Sequence, residues 1–157
     1  MKHVAAIAIG SNLASQWGDC EANLREAVAR VGRLGEVRAV SSFSDTAPVG
    51  YTDQPRFLHG AMLLETELEP LELMRALLAI EREMGRDRAA APAKGPRVID
   101  LDLLLMGGVV MGTNELTLPH PAMAERRFVL EPLAEIAGEM VDPVSGRTVA
   151  EMLARVG

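Results

Sequence analysis

A single cysteine, Cys20, stands among 157 residues, so neither an internal disulfide nor a cysteine-based zinc cluster holds this chain together. Aromatic side chains are almost as scarce, with one Trp, one Tyr and three Phe making 3% of the sequence. Each Phe in a site-like setting is therefore informative. No apolar run approaches the roughly 20 residues that a membrane-spanning helix needs. The first residues also lack the charged-then-apolar layout of a secretory signal, so a cytoplasmic protein with no membrane partner is expected. A basic excess is missing too. The 16 Lys and Arg face 22 Asp and Glu, for a net charge of −6, which argues against general nucleic-acid binding. Neither a G-x-x-x-x-G-K-[ST] loop nor a G-x-G-x-x-G turn after a strand is present. If a nucleotide binds here, side-chain cations and a metal must hold its phosphates.

What is present is an ordinary globular composition, 48% apolar and 24% charged, long enough for one domain over residues 1–157 with one substantial core. His3 to Ile9 reads as a strand ending in a Gly10-Ser11-Asn12 turn. A helix follows with Asp19 as N-cap, Leu24, Ala27, Val28, Val31 and Leu34 at helical spacing, and Gly35 as its stop. Val37 to Ser44 and Phe57 to Leu68 read as strands flanking a long loop from Asp45 to Pro55. The next helix opens at Pro70, runs through Leu73, Met74, Leu77 and Leu78, and ends at Gly85. After the Gly107-Gly108 turn, Val109 to Met111 is expected to pair back as a hairpin partner of the preceding strand. A short helix around Met123 to Arg127 and helical segments at Phe128 to Ala137 and Val149 to Val156 close the chain. This order predicts an α+β fold, an antiparallel sheet with helices on its faces.

The stretch Gly95-Pro96-Arg97-Val98-Ile99-Asp100-Leu101-Asp102-Leu103-Leu104-Leu105 carries the most chemistry. Its aliphatic run predicts a buried strand, yet two aspartates interrupt it at spacing i, i+2. Strand side chains alternate faces, so both carboxylates point the same way, about 6.6 Å apart along the strand. Two like charges in an apolar setting repel each other and resist desolvation, so a cation is needed beside them. Mg²⁺ suits this pair, since it favours few carboxylates together with water and substrate phosphates. An exposed polar face, or an ion pair with Arg97 and a neighbour, accounts for the same residues without metal.

Charge elsewhere is uneven. Arg86, Arg88, Lys94 and Arg97 set against Asp87 give 4 − 1 = +3 over one short loop, and Arg126-Arg127 form a second basic spot. Two such spots on an acidic protein suggest a localised anion site; solvated loop charges are the alternative. Prolines on both sides of His120 fix its aim, which suits a phosphate contact. His59 shares a strand face with Phe57, so the two either line a pocket or form a partly buried core pair. Ser11 and Asn12 read as turn residues and His3 as inert; Ser41 and Ser42 belong to no catalytic triad.

Taken in order, Ala8-Ile9-Gly10-Ser11-Asn12-Leu13, Ser41-Ser42-Phe43, Asp53-Gln54-Pro55, Gly95-Pro96-Arg97-x-x-Asp100-Leu101-Asp102 and Leu118-Pro119-His120-Pro121 form a set. Across nearly the whole chain it resembles the 6-hydroxymethyl-7,8-dihydropterin pyrophosphokinases of folate biosynthesis. The resemblance implies a ferredoxin-like, three-layer α-β-α domain, commonly a monomer. It implies transfer of the β,γ-diphosphate of ATP to the pterin hydroxymethyl group, releasing AMP, with two Mg²⁺ ions. By the same resemblance Asp100 and Asp102 are the metal ligands, acting with Arg86 and Arg97 in catalysis. Glu81, Arg86, Arg88, Lys94, Arg97, Thr117, His120 and Arg126 fall on the ATP side. Thr46, Ala47, Val49, Phe57, His59 and Phe128 fall on the pterin side, the two phenyls sandwiching the ring.

Four positions depart from that pattern. His59 stands where the family has an asparagine, Phe57 where tyrosine is frequent, Lys94 where a tryptophan often precedes Gly-Pro, and Glu115 where arginine is common. Two rival expectations stand beside the resemblance: a non-catalytic nucleotide- or pterin-binding relative, motivated by His59, and a Mg²⁺-dependent phosphohydrolase on the same scaffold that would also use Asp100 and Asp102.

Overall fold

The computed structural model describes residues 2–46, 57–85 and 96–156. Four strands run β2 (Glu36–Val40), β4 (Phe57–Thr66), β1 (His3–Ser11) and β5 (Asp100–Met106) across the sheet, and β3 (Ser44–Thr46) extends it beside the start of β4. Among the described residues every pairing in this sheet is antiparallel. Helix α1 (Cys20–Val31) connects β1 to β2, and α2 (Pro70–Glu83) connects β4 to β5. A small hairpin of β6 (Met111–Gly112) and β7 (Thr117–Leu118) follows, then α3 (Arg127–Ala137) and α4 (Val149–Arg155).

The apolar pattern sorts these pieces into three layers. Ala5, Ile7 and Ile9 of β1 point to one face, where Leu24, Ala27 and Val31 of α1 and Leu73, Leu77 and Ile80 of α2 cover them. Ala6 and Ala8 point to the other, beneath Val129, Leu130 and Leu133 of α3 and Val149 and Met152 of α4. The α-β-α sandwich with a central antiparallel sheet is thus the expected α+β architecture. Local signals place the helices correctly. The Asp19 carboxylate accepts from the Ala22 N–H at the start of α1. At α2, Pro70 occupies the first turn and Glu69 and Glu72 form a capping box. No helix among the described residues is long and apolar enough to cross a membrane.

Three expectations need correction. The strand foreseen at Val37–Ser44 is two short strands, broken at residues 41–43, where Glu135 of α3 accepts both the N–H and the Oγ–H of Ser42 (2.8 and 2.6 Å). Val109–Met111 does not return to the aspartate strand; β6 pairs with β7 instead, leaving β5 as an outer strand of the main sheet. Gly10 and Ser11 continue β1 rather than turning, and both Ser11 and Asn12 are buried. Boundaries shift too: β5 begins at Asp100, and the foreseen helix near Met123 is a single 3₁₀ turn, Met123–Glu125.

Candidate active site

Register decides what gathers around the aspartates. Asp100 pairs with Gly10 and Gly10 with His59, so these three lie in one row across β5, β1 and β4. Asp102, Ala8 and Ala61 form the next row. Since Leu101 and Leu103 pack towards α1 and α2, the aspartates project on the opposite face, the one α3 and α4 cover. The inward positions of β1 on that face, Ala6, Ala8 and Gly10, are all small, which keeps the floor shallow. Both carboxylates are half-buried, and Arg97 Nη1 approaches Asp100 Oδ2 at 3.2 Å. The cation beside Asp100 is therefore partly supplied by the chain itself, as the non-metal alternative supposed.

Arg97 is aimed by its backbone. Asn12 N–H donates to the Arg97 carbonyl at 3.0 Å, and Asn12 Oδ1 accepts the Arg97 N–H at 2.7 Å. Asn12 thereby prolongs the β1–β5 ladder with a side chain in place of a second strand residue. It is anchored next to a buried polar group in which Asn23 Nδ2 donates to Ser11 Oγ and to the Leu13 carbonyl. These residues, read from sequence as turn formers, are positioning elements. The legible signal was a G-S-N run directly after an apolar strand, and only the register reveals its use.

Along the open side of β5 lies a cavity of about 840 Å³. Met74, Leu77 and Glu81 of α2 form one wall, and Glu115, Thr117, His120 and Pro121 the other, with Asp102 at its margin. Glu81 is 1% exposed, and its Oε2 accepts the Leu101 N–H at 2.7 Å. A buried carboxylate thus satisfies an edge-strand donor that would otherwise lack a ladder partner. Glu115, on that wall, pairs with Arg75 of α2 at 2.7 Å.

His120 N–H donates to the Leu104 carbonyl at 2.9 Å, tying the Pro-His-Pro connector to β5. Its Nδ1 accepts the Ala122 N–H at 3.2 Å, so the neutral ring carries its proton on Nε2. Burial lowers the His120 pKa, and Arg126 lowers it further, against the opposing pull of Asp100. A neutral Nε2–H donor, not an imidazolium, is what this residue offers.

On the other side of Asp100 three rings meet. The His59 imidazole stacks on Phe57, with centroids 5.3 Å apart and planes at 23°. It also contacts Phe128, with centroids 4.7 Å apart at 34°. Arg126 Cζ lies 5.9 Å from the Phe128 ring centre. Gly10 suits this arrangement, since a Cβ there would sit 3.2 Å from His59 Nδ1 and 3.3 Å from Cε1, tight enough to press on the ring.

Desolvation drives the His59 pKa from 6.5 down to about 4, with Asp100 pulling weakly upward. The folded protein therefore stays neutral at His59 where the unfolded chain takes up a proton. As pH falls from about 6.5 towards 4, the unfolded state gains protons and stability declines. At pH 5 this one residue is expected to cost about 2 kcal/mol relative to pH 7. Urea midpoints of wild type and His59→Asn at the two pH values check it: the wild-type loss should exceed that of the variant by about this amount.

The remaining predicted residues divide simply. Glu81, Arg97, Asp100, Asp102, Thr117, His120, Arg126, Phe57, His59 and Phe128 lie on or beside this face and cavity. Thr46 ends β3, whose pairing with Phe57 sets it near the aromatic cluster. Ala47, Val49, Arg86, Arg88 and Lys94 lie outside the described residues. His3 lies at the far end of β1, away from this face, with its Nε2 3.3 Å from Glu69 Oε2. Among the described residues no three His, Cys, Asp or Glu side chains form a ready metal cage. Two acceptor-only carboxylates on one strand face suit Mg²⁺, which takes few protein ligands and completes its shell with water and phosphate.

Comparison with known proteins gives this geometry a family. A family model described as 7,8-dihydro-6-hydroxymethylpterin-pyrophosphokinase (HPPK) matches residues 6–138. A 2-amino-4-hydroxy-6-hydroxymethyldihydropteridine pyrophosphokinase of Bacillus subtilis is 45% identical over 142 residues, covering 89% of this chain and 81% of its own length. The Pseudomonas aeruginosa protein of the same name is 43% identical over 150 residues, 94% of this chain and 88% of its own. Among solved structures, Plasmodium falciparum HPPK-DHPS with pteroate superposes with a TM-score of 0.75 at 12% identity, over 99% of this chain. This chain spans only 44% of that longer structure, so the likeness speaks for the fold alone. With the fold, the aspartate strand and these relatives in agreement, the chain belongs to the 7,8-dihydro-6-hydroxymethylpterin-pyrophosphokinase family and is an ATP-dependent diphosphokinase of folate biosynthesis.

Proposed function

We propose that this protein moves the β,γ-diphosphate of ATP onto the hydroxymethyl oxygen of 6-hydroxymethyl-7,8-dihydropterin, acting as a single-domain cytoplasmic monomer. The observation that carries this reading is the placement of Asp100 and Asp102 between two different neighbourhoods. On one side lies a large cavity reaching Glu81, Thr117 and His120; on the other lies an aromatic cluster fit for a flat ring. Exposed large apolar residues are scattered singly, Val4 on β1, Val40 on β2, and Val110 and Val144 in connecting segments, which supports a monomer.

Asp100 and Asp102 would hold two Mg²⁺ ions. Bound there, Mg²⁺ supplies Lewis-acid neutralisation of the polyphosphate. Arg97, clamped at its backbone by Asn12, presents its guanidinium beside Asp100 to phosphate oxygens. His120 adds an Nε2–H donor, and Arg126 adds charge next to Phe128. Arg86, Arg88 and Lys94 are proposed as further triphosphate contacts, and Thr46, Ala47 and Val49 as pterin contacts. The substrate hydroxyl attacks the β-phosphorus in line and gives its proton to solvent; the bond from that phosphorus to the α-bridging oxygen breaks, and AMP leaves. No strong protein base is needed where positioning and charge carry the reaction.

Calorimetry tests the binding half of this proposal. With Mg²⁺ and a non-hydrolysable ATP analogue present, 6-hydroxymethylpterin should bind saturably at one site per chain. A separate titration of the ATP analogue should lose much of its heat when Mg²⁺ is left out. Absence of pterin binding with Mg²⁺ and the analogue present would overturn the reading.

A further inference from the structure

The aromatic slot of this chain already contains a ring. Phe57 and Phe128 each contact His59, and the ring of His59 bridges them within the distances at which aromatic pairs attract. The arrangement is built in rather than incidental. His59 lies two residues from Phe57 on the same face of β4, and a Cβ on Gly10 below it would press on its ring at 3.2 Å. Phe128 arrives from the start of α3, in the opposite layer's helix.

We propose that His59 is a specificity-determining occupant of the pterin slot: its imidazole fills the space between the two phenyls in the unliganded protein, and the incoming heterocycle must displace it. The inference rests on reading this slot as the pterin site. An internal ring sets a threshold. A ligand must stack on Phe57 and Phe128 better than imidazole does, which a bicyclic pterin achieves through its larger face and a monocyclic pyrimidine does not. A short amide at this position would leave the slot open to both. His59 thus narrows the range of flat ligands while weakening the affinity for the right one.

The test compares wild type, His59→Ala and His59→Asn by calorimetry with 6-hydroxymethylpterin, in the presence of Mg²⁺ and a non-hydrolysable ATP analogue. Removing the competing ring should tighten pterin binding about tenfold in His59→Ala, even though every contact the imidazole itself makes is lost. Titration with 2,6-diamino-4-hydroxypyrimidine should show binding to the alanine variant and little to wild type. In the free wild-type protein the His59 Hε1 resonance should lie upfield, shielded by the phenyls, and move downfield on pterin saturation.

Weaker pterin binding by His59→Ala, with unchanged affinity for the ATP analogue, would overturn the proposal and make the imidazole a ligand contact. An unshifted Hε1 resonance in the free protein would overturn it independently of any variant. Failure of wild type and both variants alike to bind pterin would overturn the reading of the site, and this inference with it.

Discussion

Asp100→Ala and Asp102→Ala are each expected to lower kcat roughly a thousandfold or more, a barrier increase of about 4 kcal/mol, while leaving the fold intact. The two carboxylates stand on one face of β5, paired across the sheet with Gly10 and Ala8. Neither is part of either apolar cluster, so their removal opens no core cavity. Their loss relieves repulsion between like charges, although Asp100→Ala also removes the 3.2 Å contact with Arg97 Nη1. What disappears is the negative charge that assembles cations around the transferring phosphoryl groups. Asp100→Asn and Asp102→Asn keep the shape and lose the charge, and should be nearly as inactive as the alanines. Steady-state kinetics beside thermal melts separates the two effects. Activity near wild type with an unchanged melting temperature would exclude these residues from the metal role.

Glu81→Ala is expected to destabilise the protein by about 2–4 kcal/mol, a large share of the 5–15 kcal/mol that holds a domain of this size. The carboxylate is 1% exposed and accepts the Leu101 N–H at 2.7 Å. Truncation leaves that edge-strand donor buried without its acceptor and opens space beside Leu77 and Ile80. Because Leu101 lies between the two aspartates, turnover should fall as well. Glu81→Gln retains an acceptor oxygen, so it should recover most of the stability and much of kcat. Urea unfolding of both variants is the check. An alanine variant as stable as wild type would show that the Leu101 contact carries no weight.

No local pattern announces the job of this residue. Glu81 looks like an ordinary helix glutamate, and the resemblance assigns it to the nucleotide side. Its contact joins residues twenty apart in sequence and exists only once α2 lies along β5. Gly10 is similar. It reads as a turn glycine, whereas the β1–β4 register puts it beneath the His59 ring. Asn12 clamps a backbone 85 residues away.

Where the information is local, the sequence is sufficient. Helical spacing with the Asp19 cap defines α1, Pro70 defines the start of α2, and period-two alternation puts both aspartates on one face. Where it is relational, the sequence misleads. Val109–Met111 has the composition of a hairpin partner but pairs with Thr117–Leu118, because the outer side of β5 is occupied by Glu81 and by the His120 N–H. His59 shows both sides of this. Its place on the Phe57 face follows from alternation, yet its contact with Phe128 depends on how α3 docks.

The most direct measurement is the identity of the products. Incubated with ATP, Mg²⁺ and 6-hydroxymethyl-7,8-dihydropterin, the protein should form AMP and a pterin diphosphate in equal amounts, resolved by ³¹P NMR and by chromatography. ADP or free phosphate in place of AMP would contradict diphosphate transfer and point to a phosphohydrolase. Unchanged ATP, with both ligands bound, would make the chain a non-catalytic member of its family.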